Sequence, residues 1–299
     1  MNAKIKEAER VRRNWEEHMK KQNAKTKDYF VWEDENAYRE EMNKRKQRIV
    51  KEYGTEPNIC YFYYLFNAVE YTGEENLRKS FESVKNLGVK VIVGDYESTD
   101  DTVKIAKEYG FKIVSIKKTE GIGFHISKLV NKITQEADCT FMMDLDVHME
   151  YPKNTNDIVV KWIKENDVTK NMLILRGWWI DKNGEYKKEW GFCSAVLSYV
   201  PYLLEARGHD ERTYFGWGCA MYYIFLMEEV YNLETYDLVL HNMLHMYHIN
   251  EKTKAAKEVI KVGDMSETYI PNIVFARSLV KELKINFDEG VKKVYNSYW

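Results

Sequence analysis

The chain is poor in the residues that mark several protein classes. Four prolines in 299 residues exclude collagen-like and proline-rich linker segments. Four cysteines, Cys60, Cys139, Cys193 and Cys219, stand far apart with no Cys-x-x-Cys pair, which speaks against a zinc ribbon or a dithiol redox motif. Each lies in an apolar context, so small core residues and a reduced, cytoplasmic protein are expected. The apolar runs are short, Ile59 to Phe66 and Cys219 to Met227, where a membrane-spanning helix needs roughly 20 residues. The start, Met-Asn-Ala-Lys-Ile-Lys-Glu, lacks the apolar stretch of a signal peptide. Charge of one sign is also lacking: 45 Lys+Arg against 47 Asp+Glu leave −2, and no global field argues for nucleic acid. There is no Gly-x-Ser-x-Gly elbow, no Gly-x-x-x-x-Gly-Lys loop and no internal repeat.

What is present falls into three parts: a charged helical extension over 1–55, an α/β domain over 56–250 and a helical extension over 251–299. The first 55 residues carry 15 Lys/Arg and 11 Asp/Glu with one glycine and no proline. Ile5, Ala8, Trp15 and Met19 form one thin apolar stripe at helical spacing, and Tyr38, Met42, Ile49 and Tyr53 form another. Such stripes dock on a neighbouring domain, or hold a chain peripherally at an anionic membrane.

From Asn58 the texture alternates. Ile59–Phe66 reads as a strand buried on both faces. Glu74–Asn86 reads as a helix, Val89–Gly94 as a strand, and Asp101–Tyr109 as a helix capped by Ser98 or Asp100. Phe111–Ile116 is a third strand, Ile126–Glu136 a helix, and Cys139–Met143 a fourth strand running into Asp144-Leu145-Asp146. This alternation predicts a mostly parallel sheet with right-handed crossovers. Ligands of such sheets bind beyond the carboxyl ends of the strands, which points at Asn67, Asp95 and Asp144–Asp146. Met172–Ile180 reads as a strand, Gly208–Gly218 as a glycine-punctuated loop, and Ala220–Tyr231 as a helix followed by a histidine-bearing segment from His241 to His248.

Two carboxylates one residue apart at a strand end are hard oxygen ligands, suited to Mg²⁺ or Mn²⁺ on a diphosphate. His148 is expected in a solvated loop beside them. Asp95 closes its strand ahead of Ser98-Thr99-Asp100, where it would face a ribose or base; a helix cap without a ligand is the other reading. Trp178, Trp179, Trp190, Tyr214, Phe215 and Trp217 are rings able to stack on sugars or to fill a core. Trp217, between two glycines and close to an acid pair, is the one favoured for a ligand.

The succession of a strand, Asp95-x-x-Ser98-Thr99-Asp100-x-Thr102, a helix, and a strand ending in Asp144-x-Asp146 resembles the GT-A glycosyltransferases of the family-2 type. Gly121-Ile-Gly123-Phe-His-Ile-Ser127-Lys128-Leu129 lies where that family has a Gly…Ala-Arg-Asn segment, with Lys128 keeping the positive charge and Leu129 replacing the asparagine. Gly208-His-Asp210-Glu211 followed by Gly216-Trp217-Gly218 is similar to the family's acceptor-side motif. The likeness covers about residues 58–250.

The resemblance implies a GT-A α/β fold, Rossmann-like with a mostly parallel central sheet. It implies a glycosyltransferase moving a hexosyl or N-acetylhexosaminyl group from a nucleotide-diphosphate donor, a UDP-sugar by preference, to a hydroxyl of a saccharide, lipid-linked or protein acceptor. Asn67 and Asp95 would bind the nucleoside, with Glu70 assisting, Lys128 the phosphates and Trp217 the sugar. Asp144 and Asp146 would hold Mn²⁺ or Mg²⁺, with His248, or in second place His245, as a further metal or phosphate contact. Relatives continue past Gly-Trp-Gly with x-Glu-Asp, whose Asp is the general base; here the residues are Cys219-Ala220-Met221. The catalytic carboxylate then falls to Asp210 or Glu211, or the reaction is retaining, or the protein binds nucleotide sugars without turning them over. A nucleotidyltransferase fits less well, because Asn67–Gly73 has one glycine and no preceding Lys or Arg.

Overall fold

The computed structural model describes residues 35–118, 124–180, 186–189, 195–206, 208–211, 221–245 and 280. Helix α1 (Glu35–Tyr53) leads into strand β1 (Ile59–Leu65). Then follow α2 (Ala68–Thr72), α3 (Glu74–Lys85), β2 (Lys90–Asp95), α4 (Thr102–Glu108), β3 (Lys112–Ser115), α5 (Ile126–Glu136) and β4 (Phe141–Asp144). The second half holds β5 (Met149–Glu150), α6 (Thr155–Glu165), β6 (Asn171–Ile180), β7 (Tyr186–Glu189), β8 (Ala195–Tyr199), α7 (Val200–Glu205), α8 (Met221–Phe225) with a π-helical turn Leu226–Val230, and β9 (Glu234–His245).

The strands make a nine-stranded sheet in the order β3-β2-β1-β4-β8-β6-β9-β5, with β7 paired to β6. Strands β1 to β4 are mutually parallel, so their carboxyl ends share one edge. Strand β8 runs antiparallel to β4 and to β6, while β6 and β9 are parallel. The fold is α/β of the GT-A type, as the motifs implied.

β1 explains why the chain layers this way. Tyr61, Tyr63 and Leu65 enter one buried cluster with Leu77 and Phe81 of α3, and Cys60 and Phe62 enter a second with Leu129 and Ile133 of α5. Successive strand residues face opposite sides, so a continuous apolar run is what a strand with helices on both faces requires. Helix α5 approaches β2 closely at Gly94, where an added Cβ would stand 2.5 Å from Ile133 Cδ1. Gly94→Val is therefore expected to cost about 1–3 kcal/mol by overpacking. Urea denaturation checks this, and an unchanged midpoint would show that α5 shifts without cost.

Helix α1 docks on this domain through the second predicted stripe. Tyr38, Met42 and Ile49 are buried, and the Tyr38 hydroxyl donates to the Val230 carbonyl at 2.7 Å, closing the π-helical turn. Tyr53, placed in the stripe by its spacing, is instead 52% exposed, and the buried polar residue of the row is Lys46. Burial lowers the Lys46 ammonium pKa to about 8, with Asp167 opposing the shift. Among the described residues no helix is long and apolar enough to cross a membrane. The stripe at Ile5–Met19 and all of 251–299 except 280 lie outside the described residues.

Candidate active site

At the carboxyl edge of the parallel strands, two loops are latched together. Asn67, in left-handed backbone at φ 47°, follows β1 and donates its N–H to Ser98 Oγ at 2.9 Å. Its side-chain oxygen accepts from the Thr99 N–H at 2.8 Å. Asp100 crosses back, one oxygen accepting from Glu70 N–H and the other from Thr102 N–H. Asp100 thus satisfies the first turn of α4, while Ser98, the other expected cap, serves the β1 loop. Asp95 is buried, with Oδ1 accepting from Ser98 N–H at 3.1 Å and Oδ2 from Ser115 Oγ at 3.4 Å. Asn67 and Asp95 are therefore joined through Ser98.

Asp144 is the last residue of β4, opposite Phe62 of β1. Its Oδ1 accepts from the Val196 N–H of β8. The side chain is half-buried, and burial pushes its carboxyl up to about 7, with Asp146 adding to the rise and Val196 opposing it. Asp146 Oδ1 accepts from His148 N–H at 2.9 Å, and the Asp146 N–H donates to the Tyr151 hydroxyl at 2.8 Å. His148 is buried rather than solvated, its Nδ1 2.8 Å from Thr72 Oγ1. The apolar run into Asp144 continues inward at Leu145 and Met149, which pulls the histidine between them under α2.

The donor set tests the fit to a divalent cation. Two carboxylates at one strand end each have one oxygen held by a main-chain N–H, and Asp144 is raised by burial and by its neighbour's charge. A cation would relieve both, so these residues fit Mg²⁺ or Mn²⁺. Among the described residues no third His, Cys, Asp or Glu completes a cluster with them. The backbone of His245, in β9 opposite Met149, reaches the far side of this turn. The His245 side chain, His248, Trp217 and Gly121–Gly123 lie outside the described residues, as do Trp190, Tyr214, Phe215, Cys219 and Ala220; so do the side chains of Trp178 and Trp179.

A residue unremarked in the sequence builds the third element. Asn131, buried on α5, accepts from His209 N–H at 2.7 Å and donates to His209 O at 2.9 Å. Its Nδ2 also stands 3.3 Å from Glu211 Oε1. Gly208 permits this at φ 86°, since a Cβ there would lie 2.3 Å from Asn131 Oδ1. The only local signal was an amide set inside the apolar Leu129–Ile133 stripe. Asn131→Leu would strand the buried N–H and C=O of His209, and a loss of roughly 2–4 kcal/mol is expected. Chemical denaturation reads it, and a loss under about 0.5 kcal/mol, the scale of an ordinary surface change, would contradict the clasp.

This clasp fixes Asp210, buried, and Glu211, half-buried, beside Lys128 at the start of α5. Burial raises the Glu211 carboxyl, opposed by the Asn131 hydrogen bond and the Lys128 charge and assisted by Asp210. His209 stacks on Tyr223 at 6.2 Å between ring centroids. Burial raises the Tyr223 hydroxyl pKa, Ser198 and Tyr199 oppose the rise and the Asp144 charge adds to it, which links the clasp to the β4 acids.

Two histidines beside the site are held neutral. Burial lowers His209 to about 4, and its Nδ1 has no hydrogen-bond partner among the described residues. Burial and then Lys128 lower His125 to about 4, and its Nδ1 caps α5 by accepting from Lys128 N–H at 3.3 Å. Both folded values lie below the ordinary 6.5, so between about 6.5 and 4 the unfolded chain binds more protons than the folded one. Stability should fall with falling pH across that window, by at most about 1.4 kcal/mol per pH unit per histidine. Urea midpoints measured from neutral pH to pH 4.5 would contradict this by staying level.

The sequence model of glycosyl transferase family 2 matches residues 64–230, more than half the chain and all three elements of the site. The chain belongs to that family. Family-2 membership carries the general activity, glycosyl transfer. No curated protein sequence matches this glycosyltransferase. Among solved structures, a mycobacterial protein superposes with a TM-score of 0.52 at 12% identity, covering 77% of this chain and 78% of that one. Glucosyl-3-phosphoglycerate synthase from Mycobacterium tuberculosis, in complex with Mn²⁺, UDP and glucosyl-3-phosphoglycerate, gives 0.49 at 11% identity, with 77% and 83% covered. A mannosyltransferase from Pyrobaculum calidifontis, in complex with GDP-Man and Mn²⁺, gives 0.47 at 10%, with 88% and 84% covered.

Proposed function

We propose that this family-2 enzyme transfers a hexosyl or N-acetylhexosaminyl group from a UDP-sugar to an acceptor hydroxyl in a divalent-metal-dependent reaction. The observation that carries the reading is the pair Asp144 and Asp146 at the carboxyl end of β4, on the sheet edge that Asp95 shares at the end of β2. Asp95 and Asn67, locked by Ser98, bind the nucleoside. Asp144 and Asp146 hold Mn²⁺ or Mg²⁺, which when bound offsets the charge of the donor diphosphate. Lys128 adds a positive charge on the leaving-group side. Trp217 and either His245 or His248 complete the sugar and phosphate contacts.

Glu211 is the proposed base. Its carboxyl is raised toward the operating range, which suits proton abstraction. It takes the acceptor hydroxyl proton as the new bond to the anomeric carbon forms and the bond to the diphosphate breaks. Asp210, more deeply buried, holds the acceptor. With Ala220 and Met221 where relatives carry Glu-Asp, the catalytic carboxylate has moved from after Gly218 to before Gly216.

The test is a panel of UDP- and GDP-sugars with Mn²⁺, scored for slow donor hydrolysis. Hydrolysis of one donor, abolished by Asp146→Ala, supports the enzyme. Tight binding without turnover would favour a nucleotide-sugar-binding relative, the reading that the loss of Glu-Asp also favours. No binding of any donor would sink both.

A further inference from the structure

A short helix connects the turn that holds Asp95 to the turn that holds Asp146. Helix α2 has five residues, Ala68–Thr72, and spans about 7.5 Å. The N–H groups of its first turn have no carbonyl within the helix to receive them. The residues leading into α4 supply their acceptors instead: Thr102 Oγ1 takes the Val69 N–H at 3.1 Å, and Asp100 Oδ2 takes the Glu70 N–H at 2.9 Å. The other end is closed by the Gly73 N–H on Val69 O at 3.0 Å and by Asn76 Nδ2 on Thr72 O at 3.1 Å. Thr72 is 1% exposed, so the place of its hydroxyl is set from both ends of the helix.

That hydroxyl meets His148. Thr72 Oγ1 stands 2.8 Å from Nδ1 of the buried imidazole, and the Tyr71 ring lies against it at 5.7 Å between centroids. A hydroxyl both donates and accepts, so this pair is satisfied in either neutral tautomer of the ring. The His148 N–H in turn donates to Asp146 Oδ1 at 2.9 Å, and the Met149 N–H to Asp146 O at 3.1 Å closes the turn. The imidazole fixes where this turn lies, and the turn fixes the direction of the Asp146 carboxylate.

We propose that Thr72 is a positioning residue for the cation site: its hydroxyl seats His148, whose main-chain N–H orients the Asp146 carboxylate toward the metal. The inference rests on the reading of Asp146 as a metal ligand. Groups that act on a ligand from behind typically change metal affinity about 10–100-fold when they are removed. Thr72→Val keeps the size of the side chain but strands the buried His148 Nδ1 without its partner. The ring then moves to regain one and draws its N–H away from Asp146.

The test titrates Mn²⁺ into the full-length native chain with UDP present, reading free ion by electron paramagnetic resonance, beside a thermal melt of each variant. Thr72→Val is expected to weaken Mn²⁺ binding about ten-fold or more, and Thr72→Ser, which restores the hydroxyl, to return it to within about three-fold of the original. Thr72→Ala removes the hydroxyl without setting a methyl beside Nδ1 and should match the valine variant, so the comparison stands even if valine unfolds the chain. Unchanged Mn²⁺ affinity in the valine and alanine variants, with the melt alone lowered, would reduce the hydroxyl to a packing role and overturn the inference by itself. A loss in Thr72→Ser equal to that in Thr72→Val would do the same. An unaltered chain that takes up no Mn²⁺ beyond what UDP holds in buffer would overturn the cation site, and the positioning role with it.

Discussion

Replacing Asp146 with alanine is expected to lower glycosyl transfer by roughly 10³-fold or more, while the chain keeps its fold. A bound metal contributes several kcal/mol of charge stabilisation in reactions of this kind, and each 1.36 kcal/mol is a factor of ten in rate. The fold should survive, because the contacts that seat residue 146 on Tyr151 are made by its main chain: the N–H to the Tyr151 hydroxyl at 2.8 Å, and that hydroxyl to the Asp146 carbonyl at 3.3 Å. The contact from His148 N–H to the side chain is lost. Steady-state rates at saturating Mn²⁺, beside a thermal melt, separate the two effects. A variant with at least a tenth of the original rate would show that Asp146 carries no essential cation contact.

Glu211→Gln is the second large expected effect. General-base catalysis contributes typically 10²–10⁴ in rate, and the amide keeps the size and the hydrogen bonding that Asn131 requires. Transfer should fall within that range while donor affinity changes little. The pH profile gives an independent reading. Because the folded carboxyl lies above its ordinary value, the active, deprotonated form should disappear as pH falls through a range higher than that of a free glutamate. Glu211→Gln should abolish that limb in whatever residual rate is left. A full rate in Glu211→Gln, with the limb intact, would move the base to Asp210 or to the segment beyond Gly216.

The parallel half of the domain was legible because its signals are local. Ile59–Leu65 is apolar throughout, and helix α5 spans the predicted Ile126–Glu136, since its apolar positions repeat at helical spacing. The acids at strand ends followed from the geometry of parallel sheets alone. The second half was harder. Strand β9, Glu234–His245, mixes Asp237, His241 and Asn242 among its apolar residues, and its pairing with β6 and β5 makes it a strand. Strand β5, two residues long, is too short to show a period.

Side chains whose place depends on a distant partner were the least legible. Asn131 is meaningful only against His209, 78 positions on, and Lys46 and Tyr53 exchange their expected exposures according to what lies beneath α1. His148 reads as a loop residue until Thr72 is placed over it.

Isothermal titration calorimetry of UDP-sugars into the intact chain, with and without Mn²⁺, is the most direct measurement. Binding heat that appears with Mn²⁺, is absent with a chelator, and disappears in Asp144→Asn and Asp146→Ala is the predicted result. Equal heats with and without the cation, or binding undiminished in both variants, would contradict a metal-bridged nucleotide sugar at the end of β4.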